Sequence, residues 1–120
     1  MQIKTILVID DDPDIHFFCK SLLEAEGYTV RTAINAAAGL KAAREISPDL
    51  VILDIMMEEI NSGYKVAEAL GKEVPILMFS SMLNPSDTIF NPDEVPYRDV
   101  ISKPIAGELL LRKVREIIGD

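Results

Sequence analysis

The sequence predicts an α/β fold built on a five-stranded parallel sheet, doubly wound, with helices over both faces. Three observations carry this expectation. Short apolar runs rich in β-branched residues alternate along the chain with segments of helical periodicity. The helical segments are long enough to serve as crossovers, and strands joined by crossovers lie parallel. The chain has 120 residues, 48% hydrophobic and 27% charged, which suits a single domain over 1–120 with one core.

Each element has a local reason. Ile3–Ile9 reads as a buried first strand. Asp12-Pro13 then offers an N-cap followed by proline at the first helical position. Ile15, Phe18, Cys19, Leu22 and Leu23 recur at helical spacing, so this helix buries one face, and Gly27 ends it. Tyr28–Ala33 is a second, weaker strand. Asn35 caps a second helix with Leu40, Ala43 and Ile46 inward, ending before Ser47-Pro48. Leu50–Leu53 is a third strand closed by Asp54. A polar loop leads to a short helix from about Gly63 to Leu70, stopped by Gly71. Val74–Phe79 is the fourth strand, with Pro75 near its start, where a missing N–H is tolerated. Ser81–Arg98 is irregular, because Pro85, Pro92 and Pro96 leave room only for a short helix. Asp99–Ser102 is the fifth strand. The last helix, about Ala106–Ile118, has Leu109, Leu110, Val114, Ile117 and Ile118 as its apolar stripe. Arg112, Lys113 and Arg115 suit its C-terminal half, where cations complement the helix dipole.

Composition removes several function classes. Twelve basic residues against 20 acidic ones leave a net charge of −8, so the chain lacks the basic surface that nucleic acids require. No apolar run approaches the ~20 residues of a membrane span. The N-terminal MQIKTILVID reaches acid too soon for a secretory signal. The single cysteine, Cys19, excludes an internal disulfide framework and a Cys-rich zinc site, and a cytoplasmic address is the expectation.

The acid is concentrated. Asp10, Asp11, Asp12 and Asp14 directly follow the first apolar run. Ligands of an open α/β sheet bind at the carboxyl ends of its strands. There the first strand ends in Asp10 and Asp11, the third in Asp54, the fourth in Ser80 and Ser81, and the fifth in Lys103. Carboxylates brought together repel, and a hard divalent cation relieves that repulsion; all-oxygen ligands favour Mg²⁺, with Mn²⁺ as an alternative. A carboxylate beside such a metal can attack phosphorus, and a lysine and a hydroxyl can hold phosphoryl oxygens. The set reads as phosphoryl transfer to an aspartate. Plainer readings stand beside it. An Asp-Asp-Asp run alone is also a capping cluster on a solvated turn, and Asp12 is better read as the N-cap than as a ligand. Lys103 alone is a surface lysine, and Ser80 and Ser81 alone are loop starts. Convergence of all of them at one sheet edge favours a site.

The segments ILVIDDDP, LVILDIMM, PILMFSSM and SKP, in this order and at these strand ends, resemble the receiver domains of two-component response regulators. The layout is similar to that of the stand-alone chemotaxis regulators, and the resemblance covers essentially the whole chain. It implies a flavodoxin-like (βα)5 architecture with an irregular fourth-helix region. It implies that Asp54 is the phosphoacceptor and also a metal ligand, that Asp11 binds Mg²⁺ directly, that Asp10 acts mainly through a water, and that the Met56 carbonyl is a further ligand. Ser80 would hydrogen-bond the phosphoryl group and Lys103 would pair with it. The implied phosphodonor is a sensor histidine kinase, a phosphotransfer protein or a small acyl phosphate. The implied reader is a downstream effector protein or domain. Such a domain catalyses only its own phosphorylation and dephosphorylation, and neither nucleic acid nor membrane is a partner of it. His16, the only histidine, reads as a partly exposed first-turn residue at the edge of a kinase-docking face rather than as a phosphohistidine.

Some residues depart from the family pattern. Glu58 stands where a proline usually follows the methionine, and Gly63 comes one residue late. Val100 occupies the place of the switch aromatic, with Tyr97 the nearest ring. The phosphorylation set is untouched, but output is expected through the 81–98 segment or the last helix instead of an aromatic rotation. The two positions that flank the path of a hydrolytic water in this family are Met56 and Met82 here, so slow self-dephosphorylation is expected. Two rival functions are a haloacid-dehalogenase-like phosphatase, on the strength of Asp10-x-Asp12, and a phosphate-independent pseudo-receiver that serves as a binding module.

Overall fold

The run Thr5–Ile9 forms strand β1, near the middle of the sheet. The computed structural model describes residues 3–54, 62–71, 73–80, 99–102 and 106–119. After β1 come α1 (Pro13–Glu24), β2 (Thr29–Ala33), α2 (Ala36–Ile46), β3 (Leu50–Asp54), α3 (Ser62–Leu70), β4 (Ile76–Ser80), β5 (Asp99–Ser102) and α4 (Gly107–Ile118). The five strands are parallel, in the order β2-β1-β3-β4-β5. The chain lays β2 on one side of β1 and then crosses to place β3 on the other. That reversal opens a crevice at the carboxyl ends of β1 and β3.

The period-2 alternation of the strands divides the core between two faces. Ile6, Val8, Leu50, Ile52, Leu77 and Phe79 pack with Cys19 and Leu23 of α1 and with Leu110 and Val114 of α4. Leu7, Ile9, Val51, Leu53, Ile76 and Met78 pack with Ala43 of α2 and with Val66, Ala67 and Leu70 of α3. Strands buried on both faces explain why β1 and β3 read as continuous apolar runs. Doubly wound architecture follows from the same division.

The caps are where the residue types place them. The Asp12 carboxylate accepts the Asp14 N–H and the Asn35 side chain accepts the Ala38 N–H, so both helices begin at capped turns. Gly27 follows α1 with a φ of 95°, a left-handed conformation that glycine adopts without steric cost. At the opposite edge of the sheet, Asp49 links two strands: its Oδ2 accepts the Thr5 N–H while its own N–H donates to the Thr5 carbonyl, each at 2.8 Å.

Boundaries shift modestly from expectation. β1 begins at Thr5, its first paired residue, and Ile3 beyond it is 70% exposed. β4 begins at Ile76, with the Pro75 carbonyl accepting the Val51 N–H just before it. The 81–98 segment with its three prolines, expected to be irregular, and Tyr97 lie outside the described residues. Among the described residues, no helix is long and apolar enough to cross a membrane.

Candidate functional site

Strand register determines which residues meet. Ile9 of β1 pairs with Leu53 of β3, so the next residues, Asp10 and Asp54, end adjacent strands side by side. Asp54 pairs with Phe79, and Ser80 pairs with Ser102 on β5. The carboxyl edge of the sheet thus runs from Asp10 through Asp54 to the end of β4.

Asp10, Asp11 and Asp54 each offer a carboxylate oxygen, and these atoms lie within 4.8 Å of one another. Asp10 is 1% and Asp54 3% exposed, whereas Asp11 is exposed. Aspartates are rarely this buried without compensation. Like charges at about 5 Å repel by ~3 kcal/mol at an effective dielectric of ~20. Two buried carboxylates and a third at the rim therefore form a donor set that suits a hard divalent cation with oxygen ligands. The burial of Asp10 and Asp54 distinguishes this cluster from an ordinary acidic surface.

The β1–α1 turn separates the roles of consecutive aspartates. The Asp10 N–H donates to the Ala33 carbonyl at 3.1 Å, an extension of the β1–β2 ladder. One Asp10 carboxylate oxygen accepts the Asp12 N–H at 2.9 Å. The Asp12 carboxylate instead accepts the Asp14 N–H at 2.9 Å. Asp12 is accordingly the helix cap the sequence suggests, and Asp10 and Asp11 are left to the crevice.

Of the expected site residues, the structure brings together Asp10, Asp11 and Asp54. It sets the Ser80 backbone at the end of β4, opposite Ser102. Lys103 and Met56 lie outside the described residues, as do Glu58, Ser81 and Met82. One residue that sequence reasoning left aside does reach the site. His16, half-buried on the first turn of α1, places its ring Nε2 2.6 Å from the Asp10 carbonyl oxygen. No periodicity signals this contact, because it depends on the first helical turn folding back over the strand end.

Comparison with known proteins agrees with this geometry. Residues 6–115 match the response regulator receiver domain family. The chain is 32% identical over 118 residues to the DNA-binding dual master transcriptional regulator RpaA of Synechocystis, an alignment covering 94% of this chain and 48% of that protein. It is 28% identical over 119 residues to Protein PilH of Pseudomonas aeruginosa, covering 95% of this chain and 97% of PilH. It thus spans about half the length of RpaA and of similar regulators such as MtrA of Mycolicibacterium smegmatis, but nearly all of PilH. Among solved structures, a CheY-like response regulator receiver domain protein from Methanospirillum hungatei superposes with a TM-score of 0.84 at 28% identity, covering 96% of this chain and 93% of that one. The chemotaxis protein CheY4 of Vibrio cholerae shares the fold with a TM-score of 0.86 at 24% identity, covering 97% and 99%.

Proposed function

The chain belongs to the response regulator receiver domain family, and from that premise we propose that Asp54 is its phosphoacceptor in a Mg²⁺-dependent self-phosphorylation. The single observation that carries the proposal is the convergence of Asp10, Asp11 and Asp54 within 4.8 Å at the β1/β3 crevice. A carboxylate oxygen of Asp54 attacks phosphorus; an O–P bond forms as the donor's P–N or P–O bond breaks, and the donor leaves with the electron pair. Asp11, exposed at the rim, and the buried Asp10 and Asp54 are the carboxylates that would hold the cation, with the Met56 carbonyl as a further ligand. Bound Mg²⁺ would neutralise the acidic cluster and the charge developing on the phosphoryl oxygens. Ser80 and Lys103 complete the proposed set as hydrogen-bond donor and counter-charge to the phosphoryl group.

The proposed donors are a sensor histidine kinase or a phosphotransfer protein, and the proposed reader is an effector protein or domain. DNA binding belongs to the full-length regulators whose names carry it; at −8 net charge, this domain is not proposed to touch nucleic acid. A cytoplasmic address is part of the same proposal. The phosphatase reading needs Asp12 in the chemistry, and the capping bond from Asp12 to the Asp14 N–H weighs against it. The buried acidic pair Asp10 and Asp54 weighs against the phosphate-independent reading.

Incubation with an acyl phosphate and Mg²⁺, followed by intact-mass measurement, tests the proposal. Wild type should gain one phosphoryl group, and Asp54→Asn should gain none. Labelling of Asp54→Asn equal to wild type, or full labelling in excess chelator, would overturn it.

A further inference from the structure

We infer that His16 is a positioning residue for the acidic site: its imidazole fixes the peptide between Asp10 and Asp11 and so aims the Asp11 carboxylate at the cation. The inference rests on the metal-site reading above and deepens it.

His16 Nε2 lies 2.6 Å from the Asp10 carbonyl oxygen. A carbonyl can only accept, so the ring nitrogen carries the hydrogen and donates it. That carbonyl shares one plane with the N and Cα of Asp11, because the peptide bond between them is rigid. Holding the oxygen therefore sets the direction in which the Asp11 Cα leaves, and with it the origin of the Asp11 side chain. The rest of Asp10 is held by other groups: its N–H by Ala33 and its carboxylate by the Asp12 N–H. His16 acts on the peptide plane itself, through its carbonyl oxygen.

Packing offers the turn little else. Asp11, Asp12, Pro13 and Asp14 are all exposed, so no apolar side chain in this stretch anchors it to the core. His16 is half-buried and sits on a capped helix whose next turn inserts the fully buried Cys19. The hydrogen bond thus runs from a packed helix to an exposed turn that carries a proposed metal ligand. Groups that orient ligands from behind typically change metal affinity ~10- to 100-fold when removed.

The test is Mg²⁺ titration calorimetry on wild type, His16→Leu and His16→Gln, with metal-free thermal unfolding of each. Leucine keeps bulk and removes the donor. The glutamine amide nitrogen lies as many bonds from Cα as Nε2 does, so it can restore the donor. The expected result is ~10-fold weaker Mg²⁺ binding by His16→Leu, recovery of most of that loss by His16→Gln, and similar metal-free midpoints for the two variants. If His16→Leu does not fold, His16→Asn, whose amide is one methylene too short, takes its place against His16→Gln. Wild-type affinity in the donor-less variant, or equal loss with and without the donor, would overturn the inference while leaving the metal site standing. Absence of Mg²⁺ binding by wild type would overturn the metal-site reading and this inference with it.

Discussion

The Tyr28 hydroxyl donates to the Gly119 carbonyl at 3.0 Å, joining the turn before β2 to the end of α4 across 91 positions of sequence. Tyr28 is 8% exposed and belongs to the core beneath α1 and α4. Beside it, Arg115 and Glu26 make an ion pair at 3.0 Å between side chains 48% and 39% exposed. The two bonds tie the same pair of elements but differ in burial, and burial decides their worth. Tyr28→Phe keeps the packing and loses one hydrogen bond, so it should cost about 1 kcal/mol of stability. Arg115→Ala loses a screened surface pair and should cost less, about 0.3 kcal/mol. Urea unfolding of both variants checks the order; an equal or larger loss in Arg115→Ala contradicts it.

Gly39 makes a second stability prediction, of unusual sign. A Cβ there would lie 2.6 Å from Cδ1 of Ile9 and 2.9 Å from both its Cγ1 and Cγ2. Ile9 is fully buried and branched at Cβ, so turning one Cγ away brings the other closer. Gly→Ala inside a helix ordinarily stabilises by ~1 kcal/mol, but overpacking a tight core costs ~1–3 kcal/mol. The second effect should win, and Gly39→Ala should unfold at lower urea than wild type. Ile9 directly precedes Asp10, so the same strain should also weaken Mg²⁺ binding, read by calorimetry.

What was legible in the sequence follows from the range of each interaction. Local chemistry was readable: Asp12 and Asn35 cap the helices that their sequence positions predict, and the short apolar runs form the strands. An aspartate that closes an apolar run, as Asp54 does, already signals a site. Long-range geometry was readable only where the strand ends and the family resemblance supplied it. Periodicity does not encode that β1 and β3 are neighbours, so the meeting of Asp10 and Asp54 was expected from their places at strand ends and from the resemblance. The His16 contact to the Asp10 carbonyl, the Thr5–Asp49 pair and the Tyr28–Gly119 bond each need the chain folded before the partners meet. Ile3 belongs to an apolar run by type, yet it lies beyond the first paired residue of β1, Thr5, and stays exposed.

A third prediction concerns phosphoryl lifetime and rests on sequence positions outside the described residues. By the family resemblance, Met56 and Met82 are expected to occupy the two positions that flank the path of the hydrolytic water. A thioether is a weak hydrogen-bond acceptor and adds apolar bulk, so it orients water poorly. A well-placed polar group contributes ~10²-fold in such chemistry. The double variant Met56→Asn, Met82→Glu should therefore lose its phosphoryl group several-fold faster than wild type after donor removal. Decay of the phosphorylated mass measures it, and equal or faster decay of wild type refutes the idea.

Asp11 and Asp12 are consecutive aspartates with opposite energetics, and a pair of variants should separate them. Asp12 caps α1 through its bond to the Asp14 N–H. Removing such a cap costs ~0.5–2 kcal/mol, so Asp12→Ala should be less stable by about 1 kcal/mol with or without metal. Asp11 is exposed and lies within 4.8 Å of the buried Asp10 and Asp54, so in metal-free protein its charge opposes folding. Asp11→Asn removes that repulsion and should leave the metal-free protein at least as stable as wild type. Mg²⁺ should invert this order. A cation that binds only the native state stabilises it by ~1.4 kcal/mol at a concentration ~10 times its Kd. Wild type and Asp12→Ala should both show that gain, because both keep the acidic cluster, and Asp11→Asn should lose most of it. Urea unfolding in Mg²⁺ and in chelator reads all six values. A full Mg²⁺ gain in Asp11→Asn would mean that Asp11 is not a ligand, and wild-type stability in Asp12→Ala would mean that the cap does not hold the helix.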